Sequence, residues 1–255
     1  MKKINAILLA GDGKKSFIQE GVENKALFLI NGKPMVEYVV DALLDSSLVD
    51  RIAIVGPVEH LKQYLGNKVD YYMEGRESIF DNIKLSMLPF IGDEAVLVVT
   101  SDIPMIKGQM VTDFVQRAWE QGADFCYPIV DKRLNEEFFP NVERTYVRLK
   151  EGTFTGGNIA YMNPAVLDTC EEFGRKLILF RKTPWKTAKL LGFKFLIGLL
   201  LGNLTLSEVE QRFCNLLNIK AAALIVDYPE IGNDVDKPAD VEMVMEYFGL
   251  SHNLS

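Results

Sequence analysis

The sequence predicts an α/β fold, a three-layer sandwich with helices on both faces of a mostly parallel central sheet. Apolar runs of strand length alternate with longer stretches of helical period along most of the chain. Residues 4–10, 52–55 and 95–100 are apolar without alternation, the pattern of strands covered on both faces. The composition agrees: 255 residues, 48% hydrophobic and 25% charged, are enough to bury a core without disulfide staples.

Residues 4–10 form the first strand and stop at Gly11. A helix over 35–48 follows, with Pro34 suited to a first helical position, then the strand at 52–55. Residues 78–88 are helical up to Pro89, 95–100 are a strand and 108–121 a helix. A strand at 123–130 leads into a polar stretch with Asn135, Pro140 and Asn141 that is expected to extend from the sheet. Strands at 142–149 and 159–162, a helix at 164–173, a strand at 221–226 and a helix at 237–248 complete the reading. No repeat, linker or hinge divides the chain, so residues 1–255 are expected to be one domain carrying a helical, basic and apolar insertion at about 174–218.

Cys126, Cys170 and Cys214 are far apart, and with only His60 and His252 they assemble no zinc-ligand spacing. Isolated buried thiols and a first strand that is not a signal peptide fit a cytoplasmic protein. A formal net charge of −7 disfavours general nucleic-acid binding.

The first strand runs into Leu9-Ala10-Gly11-Asp12-Gly13-Lys14-Lys15-Ser16, where backbone N–H groups and lysines can cradle an anion. A P-loop would need Ser or Thr after Lys14 and a glycine at Leu8; a dinucleotide fingerprint would need glycine at Ser16 and an immediate helix. Neither is present. More than 20 residues instead pass before the helix after Pro34, and a connection of that length inside a domain is commonly functional. It holds Lys25, a short strand and an Asn31-Gly32 turn.

The order of motifs resembles the MobA-like nucleotidyltransferases, which have a glycosyltransferase-A-type fold. The matches are Leu9-Ala10-Gly11-Asp12-Gly13, Lys25-Ala26-Leu27, Gly32-Lys33-Pro34-Met35-Val36, Gly75-Arg76-Glu77-Ser78-Ile79, Ser101-Asp102-Ile103-Pro104 and Asp234-Val235-Asp236-Lys237-Pro238-Ala239-Asp240. They span about residues 4–165 and 221–248 and leave the insertion outside. Asp12 departs from the family's second glycine and its usual arginine is absent; Lys14 or Lys15 would supply charge without the bidentate fork.

The resemblance implies Mg²⁺-dependent transfer of an NMP from an NTP to a phosphorylated or hydroxyl acceptor, with pyrophosphate leaving. It implies phosphate binding by Leu9, Ala10, Gly11, Asp12, Gly13, Lys14, Lys15 and Lys25, with Lys25 and Asp102 catalytic. It also implies nucleotide contacts from Gly75, Arg76 and Ser78, and metal binding by Asp102 and Asp236. Asp102 follows an apolar strand and so stands at a carboxyl end of the sheet, where a carboxylate can hold Mg²⁺ against phosphates; a turn Asp bonded to its own backbone is the plain alternative. Asp236 is also placed as a helix N-cap, and Asp234, two residues earlier, is a substitute ligand. Ser78 is a plausible cap for the next helix. Gly157 and Asn158, before a strand, suit either a ligand contact or a simple turn.

Two other functions stay open at this point: a catalytically weakened nucleotide-binding or regulatory protein, and, ranked lower because Ser101-Asp102-Ile103-Pro104 lacks a second Asp, a sugar-nucleotide-dependent glycosyltransferase. The insertion adds a last expectation. Residues 173–207 hold seven Lys or Arg and no Asp or Glu, among many apolar residues, leaving −14 for the rest of the chain. Packing on the core, a homodimer surface, and a lid at 174–206 for an amphiphilic acceptor or a peripheral membrane contact are the readings it supports.

Overall fold

The computed structural model describes residues 2–11, 24–180 and 183–250. The chain runs β1 (Ile4–Leu9), β2 (Leu29–Ile30), β3 (Lys33–Pro34), α1 (Met35–Asp45), β4 (Val49–Gly56), α2 (Val58–Leu65), β5 (Tyr71–Glu74) and α3 (Ile79–Met87). It continues β6 (Val96–Thr100), α4 (Gly108–Gln121), β7 (Phe125–Asp131), α5 (Lys132–Phe138), β8 (Val147–Arg148), β9 (Thr153–Gly156) and β10 (Ile159–Met162). Then come α6 (Leu167–Phe180), α7 (Pro184–Leu191), α8 (Phe193–Leu200), α9 (Leu206–Leu217), β11 (Ala221–Ile225) and α10 (Pro238–Tyr247).

The main sheet has the order β5-β4-β1-β6-β10-β7-β9-β8, with β11 also paired to β7. β5, β4, β1 and β6 are mutually parallel, β7 pairs in parallel with β11, and β9 and β10 run against their neighbours. β1 lies between β4 and β6 and is buried on both faces, which is why it reads as unbroken apolar sequence. Its even-numbered residues, Ile4, Ala6 and Leu8, pack with Val36, Val39, Val40 and Leu43 of α1, Leu61 of α2 and Val111, Phe114 and Val115 of α4. Its Ile7 faces the other layer, with Ala53, Met87, Phe90, Val98 and Leu167. These are the three layers expected from the sequence.

A smaller cluster stands beyond the carboxyl ends of the strands. Phe28, Ile30, Met35, Met105, Phe139, Val235, Val241 and Val244 bring the β2–β3 hairpin, the end of α5 and α10 into one apolar knot. The hairpin turns through Asn31 and Gly32, both at positive φ, as an Asn-Gly two-residue turn requires. Burial of this cluster sets Lys25 and Asp236 opposite each other although 211 residues separate them.

Several expectations need correction. The polar stretch after β7 does not extend from the sheet: it folds as α5, capped by the Asp131 carboxylate, which accepts from the Arg133 amide at 2.8 Å. Asn135 is fully buried there, because its amide is hydrogen-bonded to Asn233 at 2.7 Å and to the Tyr146 hydroxyl at 3.0 Å. Only Val147–Arg148 of the strand expected at 142–149 pairs, since the preceding residues curl to meet the 234–236 segment. Thr155 and Gly156, just before Gly157 and Asn158, belong to β9, which is paired on both sides. β5 and α2 were not anticipated; β5 is a short edge strand without unbroken apolar residues, and α2 is polar on its outer face. Cys126 is buried, whereas Cys170 and Cys214 are only half-buried.

Candidate active site

The carboxyl ends of β1, β4 and β5 meet with almost no side chain between them. Gly75 donates its amide to the Gly56 carbonyl at 3.0 Å, and a Cβ on Gly75 would lie 3.3 Å from the Gly56 Cα and 3.7 Å from the Gly11 Cα. A Cβ on Gly56 would stand 2.5 Å from the Ala10 carbonyl oxygen, and one on Gly11 2.7 Å from Asn82 Nδ2. Three strand ends therefore form a floor of bare backbone. Asn82 fastens its rim: its Oδ1 accepts from the Arg76 amide at 2.7 Å and its Nδ2 donates to the Arg76 carbonyl at 2.9 Å. The Arg76 side chain is left exposed, and Ser78 caps α3. Leu9, Ala10 and Gly11 lie at this floor, while Asp12, Gly13, Lys14 and Lys15 fall outside the described residues.

Lys25 is held in place by its neighbour. The buried Asn24 donates Nδ2 to the Ala10 carbonyl at 2.9 Å and accepts from the Ala26 amide at 2.8 Å, capping the single helical turn Lys25–Leu27. From there Lys25 Nζ reaches Asp102 Oδ2 at 2.5 Å and also Asp236 Oδ1. Burial works to lower the Lys25 pKa, but the charges and hydrogen bonds of Asp102 and Asp236 outweigh it and hold the ammonium far above the usual lysine range.

Asp102 lies just past β6, 8% exposed, and its Oδ1 is buried without a hydrogen-bond partner among the described residues. Its carbonyl accepts from the Val235 amide at 2.9 Å. That bond, with Val235 fully buried beneath, aims both Asp234 and Asp236 at Asp102, as alternation in an extended segment demands. Oxygens of the three carboxylates lie within 4.8 Å of one another. Asp236 is not the N-cap: Lys237 holds that position, and Asp240 in the first turn of α10 reaches back to accept from the amides of Asp236 at 2.9 Å and Lys237 at 3.0 Å. The Asp236 carboxyl is drawn up by burial, yet the Lys25 hydrogen bond and charge hold it below the usual carboxylate range. Asp234 is held above it by burial and the nearby Asp102 charge, against the pull of Arg144, to which it is ion-paired.

Arg144 and the Asn135–Asn233 pair were missed from the sequence because they carry no motif; the only signal was a buried-type Asn inside a polar stretch. Gly157 and Asn158 are employed by the fold. A Cβ on Gly157 would come within 2.8 Å of Ile231 and Pro128, and Asn158 donates both its amide (2.9 Å) and Nδ2 (3.2 Å) to the Ile231 carbonyl. They fix the start of the turn that leads to Asp234.

Three carboxylates beside one lysine, with Asp102 Oδ1 buried and without a partner among the described residues, fit a divalent cation with oxygen ligands, which takes such groups readily. A model of the MobA-like NTP transferase domain matches residues 6–176. The chain belongs to that family. A hypothetical transferase from Thermus thermophilus is 37% identical and superimposes with a TM-score of 0.83, covering 94% of this chain and 99% of that one. CMP:2-keto-3-deoxy-manno-octonic acid synthetase complexed with CTP shares the fold at 15% identity, TM-score 0.63, over 98% of this chain and 99% of that one. The bifunctional protein GlmU of Bacillus subtilis (strain 168) is 32% identical over 123 residues, 46% of this chain and 26% of that protein. The alignments thus span about a quarter of the length of the GlmU relatives. The MobA-like domain match ends inside α6, so Asp234 and Asp236 lie beyond it.

Proposed function

We propose that the protein is a nucleotidyltransferase that moves an NMP from an NTP to a phosphorylated or hydroxyl small-molecule acceptor. The observation that carries this is the convergence of Lys25, Asp102, Asp234 and Asp236 beside a floor of bare glycine backbone. The reaction needs little covalent help from protein, only in-line placement and neutralised charge. The acceptor oxygen forms a bond to the α-phosphorus while the bond from that phosphorus to the bridging oxygen breaks, and the pair of electrons leaves with pyrophosphate. A phosphate acceptor needs no proton removed, and a hydroxyl acceptor gives its proton to solvent water as the new P–O bond forms.

Asp102, Asp234 and Asp236 would hold Mg²⁺, which when bound offsets the charge of the phosphate oxygens. Lys25 leaves its carboxylates and follows the departing pyrophosphate. The glycine floor with Arg76 receives the nucleotide. Next to Asp234 and Asp236 lies an open cavity of about 750 Å³ lined by Lys132, Arg144 and Lys237 together with Glu136 and Glu143. Each of the three cations is paired to a carboxylate, so an anionic acceptor would bind there by taking over those pairings. NTP supply and unpaired thiols fit a cytoplasmic setting.

The test is pyrophosphate release over a panel of NTPs and acceptors, with Mg²⁺ or with EDTA. Turnover that requires Mg²⁺ and falls by at least about 100-fold in Asp102→Asn, with an unchanged melting curve, is expected. NTP binding without release of pyrophosphate for any acceptor would leave a binding protein instead.

A further inference from the structure

The seven cations of residues 173–207 are not equivalent. Arg175 is paired to Glu171 and Asp81, and Lys176 to Glu172. Lys186, Lys189 and Lys194 are exposed and make no ion pair among the described residues. Beside them stand apolar side chains that the fold does not cover: Trp185 is 78% exposed, Leu200 77% and Phe193 59%. Phe193, Ile197 and Leu200 follow i, i+4, i+7 spacing and so share one face of α8. Trp185 stacks on Phe193 with ring centroids 6.5 Å apart, joining α7 to that stripe. On α7, Lys189 shares a face with Trp185 at i, i+4, while Ala188 and Leu191 point inward and are buried. The opposite side of α8 is anchored, with Phe195 edge-on to Phe213 of α9.

We infer that the exposed α7–α8 face docks on the surface of an anionic lipid bilayer, aromatic and leucine side chains entering the headgroup boundary while Lys186, Lys189 and Lys194 face the phosphates. Charge decides the occupant. A second copy packed face to face would set the same three lysines against themselves, because a two-fold interface pairs a patch with its own image. An uncharged protein groove would leave these cations without partners. An anionic bilayer satisfies both the apolar stripe and the cations. No described helix is long and apolar enough to cross a membrane, so the contact lies in the plane of the interface. This inference does not depend on nucleotidyl transfer, and its test does not use turnover.

The full chain is mixed with vesicles of phosphatidylcholine and phosphatidylglycerol, or of phosphatidylcholine alone, and centrifuged. Sedimentation with the anionic vesicles, weakened by salt, is expected, with little on the neutral ones. In a Trp119→Phe background the emission of Trp185 should shift to the blue on binding, which a purely electrostatic contact would not produce. The triple change K186E/K189E/K194E should weaken binding by about tenfold or more, and Trp185→Ser with Phe193→Ser should abolish the blue shift; all five side chains are exposed, so the melting curves should stay put. Equal sedimentation with both vesicle types, none with either, or light scattering that shows a dimer broken by the Trp185→Ser, Phe193→Ser change would overturn the inference.

Discussion

Asn24 Nδ2 donates to the carbonyl of Ala10 across 2.9 Å, so a residue well inside the long connection is tied to the strand end where that connection begins. The same carboxamide caps the turn that carries Lys25. One buried side chain thereby fixes the reach of the site's central cation, and most of what can be tested about the site follows from that arrangement.

Asn24→Ala should leave the Ala10 carbonyl and the Ala26 amide without these partners. Burying unpaired groups costs about 1–3 kcal/mol, which denaturant unfolding will read. Turnover should fall by about tenfold or more through misplacement of Lys25, with Lys25 itself intact.

Lys25→Met removes the ammonium that now stands between Asp102 and Asp236. The three carboxylates then repel one another, so titration calorimetry without nucleotide should show tighter Mn²⁺ binding than in the unaltered protein. Pyrophosphate release should fall by about 100-fold or more. Weaker Mn²⁺ binding in this variant would argue against a shared site for the lysine and the cation.

The two flanking carboxylates should respond to acid with opposite sign. Asp236, held below its ordinary value of 3.8, stabilises the fold above that pH, and the contribution is lost as pH falls through its folded value. Asp234, held above 3.8, opposes folding at higher pH and is relieved on acidification. Melting temperatures from pH 6 down to 3 should therefore drop less steeply in Asp236→Asn than in the unaltered protein, by a small amount because Asp236 is solvent-exposed. Loss of Asp234 titration by substitution should make the drop steeper.

Gly56→Ala should be costly for a reason that no motif records: its Cβ would press to 2.5 Å on the Ala10 carbonyl. Overpacking against backbone costs about 1–3 kcal/mol and should push β1 and β4 apart at the floor. Gly32→Ala, at φ +77° but with open space around it, should cost less, through backbone strain alone.

How much of this was legible beforehand varies by the kind of signal. β1, β6 and α4 announce themselves, because burial on both faces or on one helical stripe leaves a periodic record. Asp102 and Lys25 were singled out through motif order, and the structure brings them together with Asp236 and Asp234, expected as a metal ligand and its substitute. Asn82, Asn135 and Arg144 were not legible. Asn135 and Arg144 bond residues that are distant in sequence, Asn233 and Asp234, and partners 98 and 90 positions apart leave no local pattern; Asn82 bonds the nearby Arg76 backbone but carries no motif. α5 was misread because its one inward polar residue, Asn135, is satisfied by tertiary bonds, while Arg133, Glu136 and Glu137 face solvent as the residues of a loop would. Gly157 and Asn158 looked equally suited to a ligand and a turn, since small and amide residues serve both.

The separation of Lys25 from Asp236 also has a consequence for how the protein is made. A ribosome delivers Lys25 and Asp102 early, yet Asp234 and Asp236 emerge only after the helices α6 to α9 and the strand β11. β11 must reach its place beside β7, and α10 must join the apolar knot around Val235, before the third and fourth charged groups arrive. Until then Lys25 has a single carboxylate near it. Contacts of such long span form late because loop closure comes before their reward. The nascent chain thus carries a nearly complete sheet before its three carboxylates stand together, and under the proposed cation binding a divalent ion would act as a timer that reports when the end of the chain has docked.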